Sequence, residues 1–219
     1  MKICFIAKLS KPYASQSIDS LQKLSNNIDI YDCESLKEIP YNLSTNKYDI
    51  IFSYISSWIL SKEVLNRTKR WNINLHPGPP EYPGTGCFNF AIYDSAKKYG
   101  ATAHEMNPNV DTGKIIKVKR FSMSENETVD TLSKKTYKSL NDVFISIVNH
   151  ISNRDSLPIS KERWLRKPFK RTDLEKLATI DFKMSKSEID KRIRATYLPG
   201  KPAPFIKLNK HKFEYNPDR

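Results

Sequence analysis

Two short, nearly continuous apolar runs constrain the fold of this chain more than any other feature. Lys2–Ala7 and Asp49–Ile55 lack the regular alternation of polar and apolar residues that marks a half-exposed strand. Each therefore predicts a strand covered on both faces. Between them, Ile18, Leu21 and Leu24 recur at helical spacing. A strand, a helix and a strand in this order predict the start of a parallel α/β sheet.

Three further strands and one helix are predicted beyond the second run. The first of these strands, Trp71–Leu75, leads into residues 77–86, which contain four prolines and three glycines. So many residues of these two types exclude helix and strand, and we expect a shaped loop at the end of a strand. The elements expected after this loop are a helix with Phe88, Ile92 and Ala96 that stops at Gly100, a strand Ala101–Met106 and a strand Lys114–Phe121.

A long helix and a basic extension are expected after the last strand. Ser124 and Glu127 have the spacing of a capping box, and an apolar stripe then runs over Val129–Ile151. Beyond about residue 152 the chain becomes basic and is interrupted by prolines. Two short helices are indicated there by the spacings Thr172-x-x-Glu175 and Ser185-x-x-Glu188. We predict a main domain, residues 1–151, and a small C-terminal extension, residues 152–219, for acceptor binding or dimerisation.

Length and composition bound the class of protein. With 219 residues, of which 38% are apolar, the chain can bury a sizeable core. The longest nearly continuous apolar run, Ile50–Leu60, is too short to span a bilayer, which needs about 20 residues, so we expect no membrane partner. Cys4, Cys33 and Cys87 are odd in number, far apart and matched to no metal-ligand pattern. We therefore expect neither a disulfide framework nor a metal, and a cytoplasmic location.

The charge of the chain is strongly positive and concentrated near its C-terminus. There are 37 Lys and Arg residues against 24 Asp and Glu residues, a net charge of +13. Residues 160–219 hold 17 basic and 8 acidic residues, which is +9 of that total. Such a charge is typical of proteins that bind an anion, for example nucleic acid, a diphosphate or the tail of a folate. A solvated, lysine-rich surface explains it equally well, so charge alone does not choose a partner.

A polar cluster is predicted at the end of the strand that begins at Trp71. Because side chains alternate along a strand, Asn72, Asn74 and His76 share one side, at the edge where open α/β sheets place ligand clefts. The turn after the strand Ala101–Met106 adds Asp111. An amide and an imidazole can stabilise an oxyanion, and an imidazole oriented by a carboxylate can move a proton near neutral pH. These are the parts of an acyl-transfer site, although by spacing alone a histidine at the end of a strand is more often a structural residue.

Four short motifs in a fixed order make the chain resemble a known family. They are Asn74-Leu-His76-Pro-Gly-Pro, Glu81-Tyr-Pro-Gly84, Tyr99-Gly-Ala-Thr-Ala-His104 and Val110-Asp-Thr-Gly-Lys-Ile-Ile116. Together they are similar to the catalytic domain of the folate-dependent formyltransferases, which include methionyl-tRNA, glycinamide ribonucleotide and sugar N-formyltransferases. The resemblance covers most of residues 1–151. It implies an α/β fold of the formyltransferase-like Rossmann type, with a mostly parallel sheet, helices on both faces and a small C-terminal extension.

The resemblance also implies a reaction and a catalytic triad. The donor would be N10-formyltetrahydrofolate, with no metal, and the triad would be Asn74, His76 and Asp111. Asn74 and His76 would polarise the formyl oxygen and stabilise the oxyanion, while Asp111 would orient His76 and help to pass the proton lost by the attacking amine. That amine must arrive neutral, because an ammonium group has no lone pair.

Two sets of binding residues follow from the same resemblance. Those expected to contact the folate are Ser56, Trp58, Ile59, Leu60, Met106, Asn107 and Val110. Those expected near the acceptor are Tyr82, Pro83, Gly84 and His104. The aromatic side chains that could stack on a base or sugar, or simply pack in the core, are Trp58, Trp164 and Tyr197.

The C-terminal segment bears on the choice of acceptor. Methionyl-tRNA formyltransferase carries a further barrel domain that grips tRNA, and the 68 residues after Ile151 lack the regularly spaced strands of a barrel. Residues 192–199 are similar instead to the tails of compact sugar N-formyltransferases. Those enzymes formylate nucleotide-linked amino-deoxysugars for the O-antigen or a related surface glycan. We expect a nucleotide-linked amino sugar and a folate as partners, no tRNA, and a homodimer as an open option.

Two alternatives remain at this point. One is a formyltransferase that acts on glycinamide ribonucleotide or another small amine. The other is a noncatalytic module that keeps the fold and binds folate or nucleotide. Replacement of His76 separates them, because an enzyme would lose turnover and a binding module has no turnover to lose.

Overall fold

Six strands form one sheet through the centre of the computed structural model, which describes residues 1–36, 38–153 and 156–217. In chain order they are β1 (Ile3–Ala7), β2 (Ile28–Asp32), β3 (Ile50–Tyr54), β4 (Trp71–His76), β5 (Lys98–Glu105) and β6 (Ile115–Ser122). The sheet order is β2-β1-β3-β4-β5-β6. Strands β1 to β4 are parallel, while β5 and β6 each run antiparallel to the strand before them. The expected mostly parallel α/β sheet is confirmed.

Helices cover both faces of this sheet. They are α1 (Ala14–Gln22), α2 (Tyr41–Thr45), α3 (Lys62–Leu65), α4 (Cys87–Tyr93), α5 (Val129–Ser152), α6 (Arg171–Ala178) and α7 (Lys186–Thr196). The apolar residues of α1 and α5 pack on one face of the sheet, and those of α2 and α3 pack on the other. None of the helices in the described ranges combines the length and the apolar character needed to cross a membrane.

The core beneath α5 is built around Phe144. Its ring lies 6.0 Å from that of Phe5, 5.3 Å from that of Phe52 and 6.0 Å from that of Tyr54, measured between ring centroids. All four side chains are fully buried. Aromatic pairs at such distances contribute about 0.5–1.5 kcal/mol beyond the burial of their surface. Helix α5 thereby fixes β1 and β3, and through β3 the neighbouring strand β4.

Strand β2 is not among the elements predicted from sequence. It contains Asp29 and Asp32, and aspartate is depleted in strands. It forms one edge of the sheet and pairs with β1 over its whole length. Tertiary pairing therefore overrides a weak local preference.

The expected helix stop at Gly100 is wrong. Helix α4 already ends at Tyr93, and Gly100 lies inside β5. A Cβ atom at Gly100 would collide with the carbonyl oxygen of Lys119 in β6. Glycine is needed there because two strands approach each other closely, not because a helix ends.

The long helix begins slightly later than its capping signal indicates. Thr128 is the N-cap of α5, and its Oγ1 accepts the Thr131 N–H at 3.3 Å. The predicted pair, Ser124 and Glu127, lies just before the helix. The Glu127 carboxylate accepts the Ser124 N–H at 3.4 Å, so the pair closes the preceding turn.

The described part of the C-terminal extension contains α6, α7 and a hairpin of β7 (Phe205–Leu208) and β8 (His211–Glu214). Helix α7 is capped by Ser185, as its sequence predicts, and α6 begins at Arg171, one residue before Thr172. The hairpin was not predicted. Helix α7 packs against α4, where the Asn89 side-chain amide donates to the Ala195 carbonyl at 2.7 Å. The extension is therefore packed onto the remainder of the protein near the proline-rich loop.

Candidate active site

A cleft of about 460 Å³ opens beyond the carboxyl ends of β3 and β4. Asn74 and His76 of β4, His104 of β5 and Asp111 of the turn after β5 line it. This is the sheet edge at which open parallel sheets bind ligands. Asn74, His76 and Asp111 are the three residues predicted to be catalytic. They come from two distant stretches of chain, and all three lie at this cleft.

The carboxylate of Asp111 is at the centre of this cluster. Its Oδ2 atom lies 3.2 Å from His76 Nδ1 and accepts the Gly84 N–H at 2.7 Å. Its Oδ1 atom lies 3.1 Å from His104 Nε2 and 3.4 Å from Asn74 Nδ2. Burial alone would raise the pKa of this carboxyl, but the two imidazoles and the Gly84 N–H outweigh burial and hold the pKa well below its usual range. Asp111 is therefore ionised at neutral pH.

The turn that carries Asp111 has an unusual backbone. Asp111 has a φ of 44°, in the left-handed region that aspartate tolerates better than most residues. Two residues later, a Cβ atom at Gly113 would collide with the main-chain carbonyl of Glu105. The turn is thus pressed against the end of β5, which directs the carboxylate towards β4.

The buried imidazole of His76 faces a hydrogen-bond acceptor at each nitrogen. Nδ1 faces the Asp111 carboxylate, and Nε2 lies 3.0 Å from the Tyr82 carbonyl oxygen. Burial lowers the pKa of His76 because it penalises the charged ring, and Asp111 opposes this shift without cancelling it. The ring is neutral at pH 7, yet a proton that it gains meets an acceptor on either side. This suits a group that takes up and returns a proton.

Asn74 and His104 are direct partners in the antiparallel pairing of β4 and β5. The predicted strand Ala101–Met106 contains His104, which lies within β5. His104 Nδ1 lies 2.8 Å from the Glu105 carbonyl oxygen, while His104 Nε2 faces both Asn74 Nδ2, at 3.0 Å, and Asp111 Oδ1. The Asn74 amide therefore has partners inside the cluster, and donating to a substrate oxygen requires it to exchange one of them.

The proline-rich loop after His76 is held by side chains of β5. The Tyr99 hydroxyl donates to the Pro77 carbonyl at 3.0 Å, and the Thr102 hydroxyl donates to the Gly78 carbonyl at 2.7 Å. A Cβ atom at Gly78 would lie 2.6 Å from His76 Nε2. Only glycine allows the loop to fold this closely over the imidazole.

The seven residues expected to contact the folate lie along this cleft: Ser56, Trp58, Ile59, Leu60, Met106, Asn107 and Val110. Just before them Ile55 has a φ of 55°, which is rare for a β-branched residue and turns the chain along the cleft. Among the hydrogen bonds of the described residues, the main chain of residues 56–60 makes only the bond from the Trp58 N–H to Ser56 Oγ, at 3.0 Å. Main-chain groups along this wall are therefore open to a ligand, which fits a flat heterocycle with several donors and acceptors.

The residues expected near the acceptor do not all face the cleft. Gly84 and His104 line it, whereas Tyr82 and Pro83 are not part of its lining. The Tyr82 ring packs against the Tyr99 ring, with centroids 6.0 Å apart, and Tyr82 reaches the site through its carbonyl oxygen. Pro83 also contributes its carbonyl, which accepts the Phe169 N–H at 3.0 Å.

Trp164 belongs to the site in a way that the sequence did not indicate. Its ring packs edge-on against His104 and His76, with centroids 5.0 Å and 5.9 Å apart, instead of standing free to stack on a base. Tyr197 packs against Tyr215. Of the three aromatic candidates, Trp58 is the one in the lining of the cleft. No spacing rule in the sequence places a tryptophan of the extension behind the two histidines.

The thiol and metal chemistry of the described residues is limited. Cys4, Cys33 and Cys87 are buried free cysteines. Burial raises the pKa of Cys87, which lines the cleft, to about 12, so this thiol is protonated at neutral pH and is not a nucleophile there. In the same residues, no group of three or more His, Cys, Asp or Glu side chains is arranged to hold a metal ion.

Comparison of the fold with solved structures finds sugar N-formyltransferases. A 4-N formyltransferase from Francisella tularensis superimposes with a TM-score of 0.74 at 20% identity, covering 98% of each chain. A sugar N-formyltransferase from a Shewanella species gives a TM-score of 0.73 at 17% identity, covering 98% of this chain and 96% of that one. An N-formyltransferase from Helicobacter canadensis, in complex with folinic acid and dTDP-3-aminofucose, gives a TM-score of 0.69 at 20% identity. The match covers 89% of this chain and 80% of that one. At these identities the likeness concerns the fold.

Sequence comparison gives the family. A methionyl-tRNA formyltransferase from Clostridium novyi is 31% identical over 175 residues, which are 78% of this chain and 56% of that protein. One from Ehrlichia canis is 30% identical over 190 residues, 84% of this chain and 59% of that protein. The chain thus spans about half the length of the curated relatives it matches. Residues 20–148, more than half of the chain, match the family model described as Formyl transferase. The chain therefore belongs to the formyl transferase family.

Proposed function

We propose that the protein transfers a formyl group from N10-formyltetrahydrofolate to the amine of a nucleotide-linked amino-deoxysugar. The observation that carries this proposal is the Asp111 carboxylate, which joins His76, Asn74 and His104 at the edge of one cleft. An amide, an imidazole and a carboxylate at this spacing match the needs of acyl transfer.

Asn74, His76 and Asp111 each have a separate role in the proposed formyl transfer. N10-formyltetrahydrofolate supplies, when bound, a formyl group activated by its attachment to nitrogen. Asn74 Nδ2 donates a hydrogen bond to the oxygen that gains negative charge, and His76 does so once its Nε2 carries a proton. His76 is neutral at pH 7 and takes up the proton that the attacking amine loses, while the ionised Asp111 stabilises the imidazolium that forms. The imidazolium then gives a proton to N10 of the folate as the bond between N10 and the formyl carbon breaks and tetrahydrofolate leaves. Burial of these groups keeps bulk water away from the exchange.

The folate is proposed to lie along residues 56–60 and 106–110. The open main-chain groups of residues 56–60 and the side chains of Trp58, Leu60 and Met106 form a wall that is polar along its backbone and apolar in its side chains. This is the composition that binds a flat, polar heterocycle. The acceptor then approaches from the side of Gly84 and the proline-rich loop.

The choice of a sugar acceptor rests on the extent of the chain that the comparisons cover. Sugar N-formyltransferase structures match 98% of this chain together with its α6, α7 and hairpin, and nearly all of their own length. The methionyl-tRNA formyltransferases match at higher identity but are covered only in part. A basic extension next to the cleft suits the diphosphate of a nucleotide sugar. Synthesis of an O-antigen or related surface glycan in the cytoplasm is the corresponding role.

Residues 152–219 are proposed to serve acceptor binding or dimerisation. The hairpin leaves Leu208 53% exposed and Phe213 56% exposed. We expect a dimer built through the hairpin to cover these two side chains. Light scattering on the purified protein measures the oligomeric state directly.

A panel of acceptors tests the proposed substrate class. The protein is incubated with N10-formyltetrahydrofolate and nucleotide-linked 3-amino or 4-amino sugars, with glycinamide ribonucleotide and with methionyl-tRNA, and the products are read by mass spectrometry. We expect the mass of a formyl group on an amino sugar. Formylation of glycinamide ribonucleotide or methionyl-tRNA, with no amino sugar modified, would assign the acceptor to that class instead.

A further inference from the structure

A segment of the extension touches both loops that carry the catalytic cluster. We call residues 160–169, which lie between α5 and α6, the bridging segment. At its start the Ser160 N–H donates to the Ile115 carbonyl at 3.2 Å, just beyond the turn that carries Asp111. Further along, the Leu165 N–H donates to the Pro80 carbonyl of the proline-rich loop at 3.1 Å.

The end of the bridging segment pairs with the loop around Gly84. The Phe169 N–H donates to the Pro83 carbonyl at 3.0 Å, and the Thr85 N–H donates to the Phe169 carbonyl at 2.9 Å. Gly84 lies between these two hydrogen bonds, and its own N–H is the one that Asp111 accepts. The bridging segment thus holds the loop that supplies one of the hydrogen bonds to the carboxylate.

Trp164 lies in the middle of the bridging segment, against the other loop. Its indole N–H donates to the Gly113 carbonyl at 2.7 Å, two residues beyond Asp111. Its ring meets His104 and His76 edge-on. One side chain therefore contacts the turn that presents the carboxylate and both imidazoles that the carboxylate binds.

We propose that Trp164 is a positioning residue for the His76–Asp111 pair, an inference that rests on the proposed formyl transfer. Through the Gly113 carbonyl it fixes the turn that presents Asp111, and its ring limits the tilt of His76 and His104. Trp164 does not need to touch a substrate to do this. In addition to any role in acceptor binding, the C-terminal extension then sets the relative positions of His76 and Asp111.

Trp164→Phe is the sharpest variant, because it keeps an aromatic ring beside the histidines and removes the indole N–H, together with part of the bicyclic ring. We expect kcat to fall about tenfold, as for the loss of one positioning hydrogen bond. KM for the folate stays within about twofold, because the folate wall is made by other residues. Trp71→Phe is the matched control: Trp71 is at the far end of β4 beneath Arg70, and this variant keeps its kcat.

A readout that does not depend on turnover accompanies the kinetics. In Trp164→Phe we expect the hydrogen exchange of the Gly84 amide, which Asp111 accepts, to speed up at least about fivefold, while amides of β1 keep their protection. If wild-type protein transfers no formyl group but this exchange responds, the proposed function fails and the positioning role stands. An unchanged Gly84 exchange rate, or an unchanged kcat in an active enzyme, overturns the positioning role.

A double-mutant cycle separates positioning from general destabilisation. In an Asp111→Asn background, which lacks the carboxylate that Trp164 is proposed to position, Trp164→Phe should lower the residual rate by less than about twofold. A second tenfold loss in that background would mean that Trp164 acts independently of Asp111 and would refute the proposal.

Discussion

The main-chain N–H of Gly84 donates to Asp111 Oδ2 at 2.7 Å. This bond ties the proline-rich loop to the carboxylate at the centre of the cleft. The same oxygen faces His76 Nδ1, so the position of the loop and the position of the imidazole depend on each other. A shift of the proline-rich loop should therefore also move Asp111 and His76.

Gly84→Ala should damage both stability and activity. Gly84 has a φ of 85°, and a Cβ atom there would collide with the main chain of Phe169. We expect the free energy of unfolding to fall by about 2–4 kcal/mol, since left-handed strain and a backbone clash add. Gly200→Ala is the control, because Gly200 has a φ of 73° with nothing within 4 Å of the added atom. Equal losses in the two variants, measured by urea denaturation, would argue against a packing role for Gly84.

The stability of the protein should fall as pH decreases through the range in which histidine normally titrates. The pKa of His76 is lowered in the folded state. As the pH falls below about 6.5, this imidazole therefore becomes protonated in the unfolded chain while it is still neutral in the folded protein, and the unfolded chain is favoured. Asp111 stays ionised over this range and does not contribute to the slope. The contribution from His76 is at most about 1.4 kcal/mol per pH unit.

The measurement is chemical denaturation at about pH 7.5 and about pH 5.5. His76→Asn should reduce the loss of stability between these two values. His211→Asn, at an exposed position on the hairpin, should leave it as in the wild type. A pH dependence that is the same in all three proteins would contradict the assignment of a lowered pKa to His76.

Arg120 should contribute more to stability than an ordinary surface charge. Its guanidinium lies 2.9 Å from Glu81 of the proline-rich loop and 2.6 Å from Glu162 of the bridging segment, and its side chain is 31% exposed. We expect Arg120→Gln to lower the free energy of unfolding by about 1 kcal/mol, and by less in high salt. Lys97→Gln, which breaks the far more exposed pair with Glu125, should have almost no effect. Equal effects of the two variants in a salt series would refute this role of Arg120.

Much of the fold follows from local pattern, because buried parallel strands leave an apolar signature. The runs that predicted β1, β3 and β4 lie within about one residue of the strands in the structure. The alternation along β4 placed Asn74 and His76 on one side, and both line the cleft. Asp111 was a candidate catalytic residue because it is a carboxylate in a polar turn after a predicted strand. The resemblance to the formyltransferases then implied that it orients His76.

What the sequence did not predict depends on pairing between distant segments. His104 meets Asn74 only because β5 runs antiparallel to β4 in one particular register. Trp164 reaches the histidines only because the bridging segment folds back along the proline-rich loop. Neither relationship leaves a periodic signal, since each is fixed by tertiary contacts and not by neighbours in the chain.

If Asn74, His76 and Asp111 together transfer a formyl group, the His76→Asn variant must lose this activity. The experiment measures formyl transfer to the best acceptor of the panel and, in parallel, folate binding by quenching of tryptophan fluorescence. We expect turnover to fall at least about 100-fold while the folate dissociation constant changes by less than about threefold. Turnover that survives the substitution, with folate still bound, would show that the chemistry lies elsewhere.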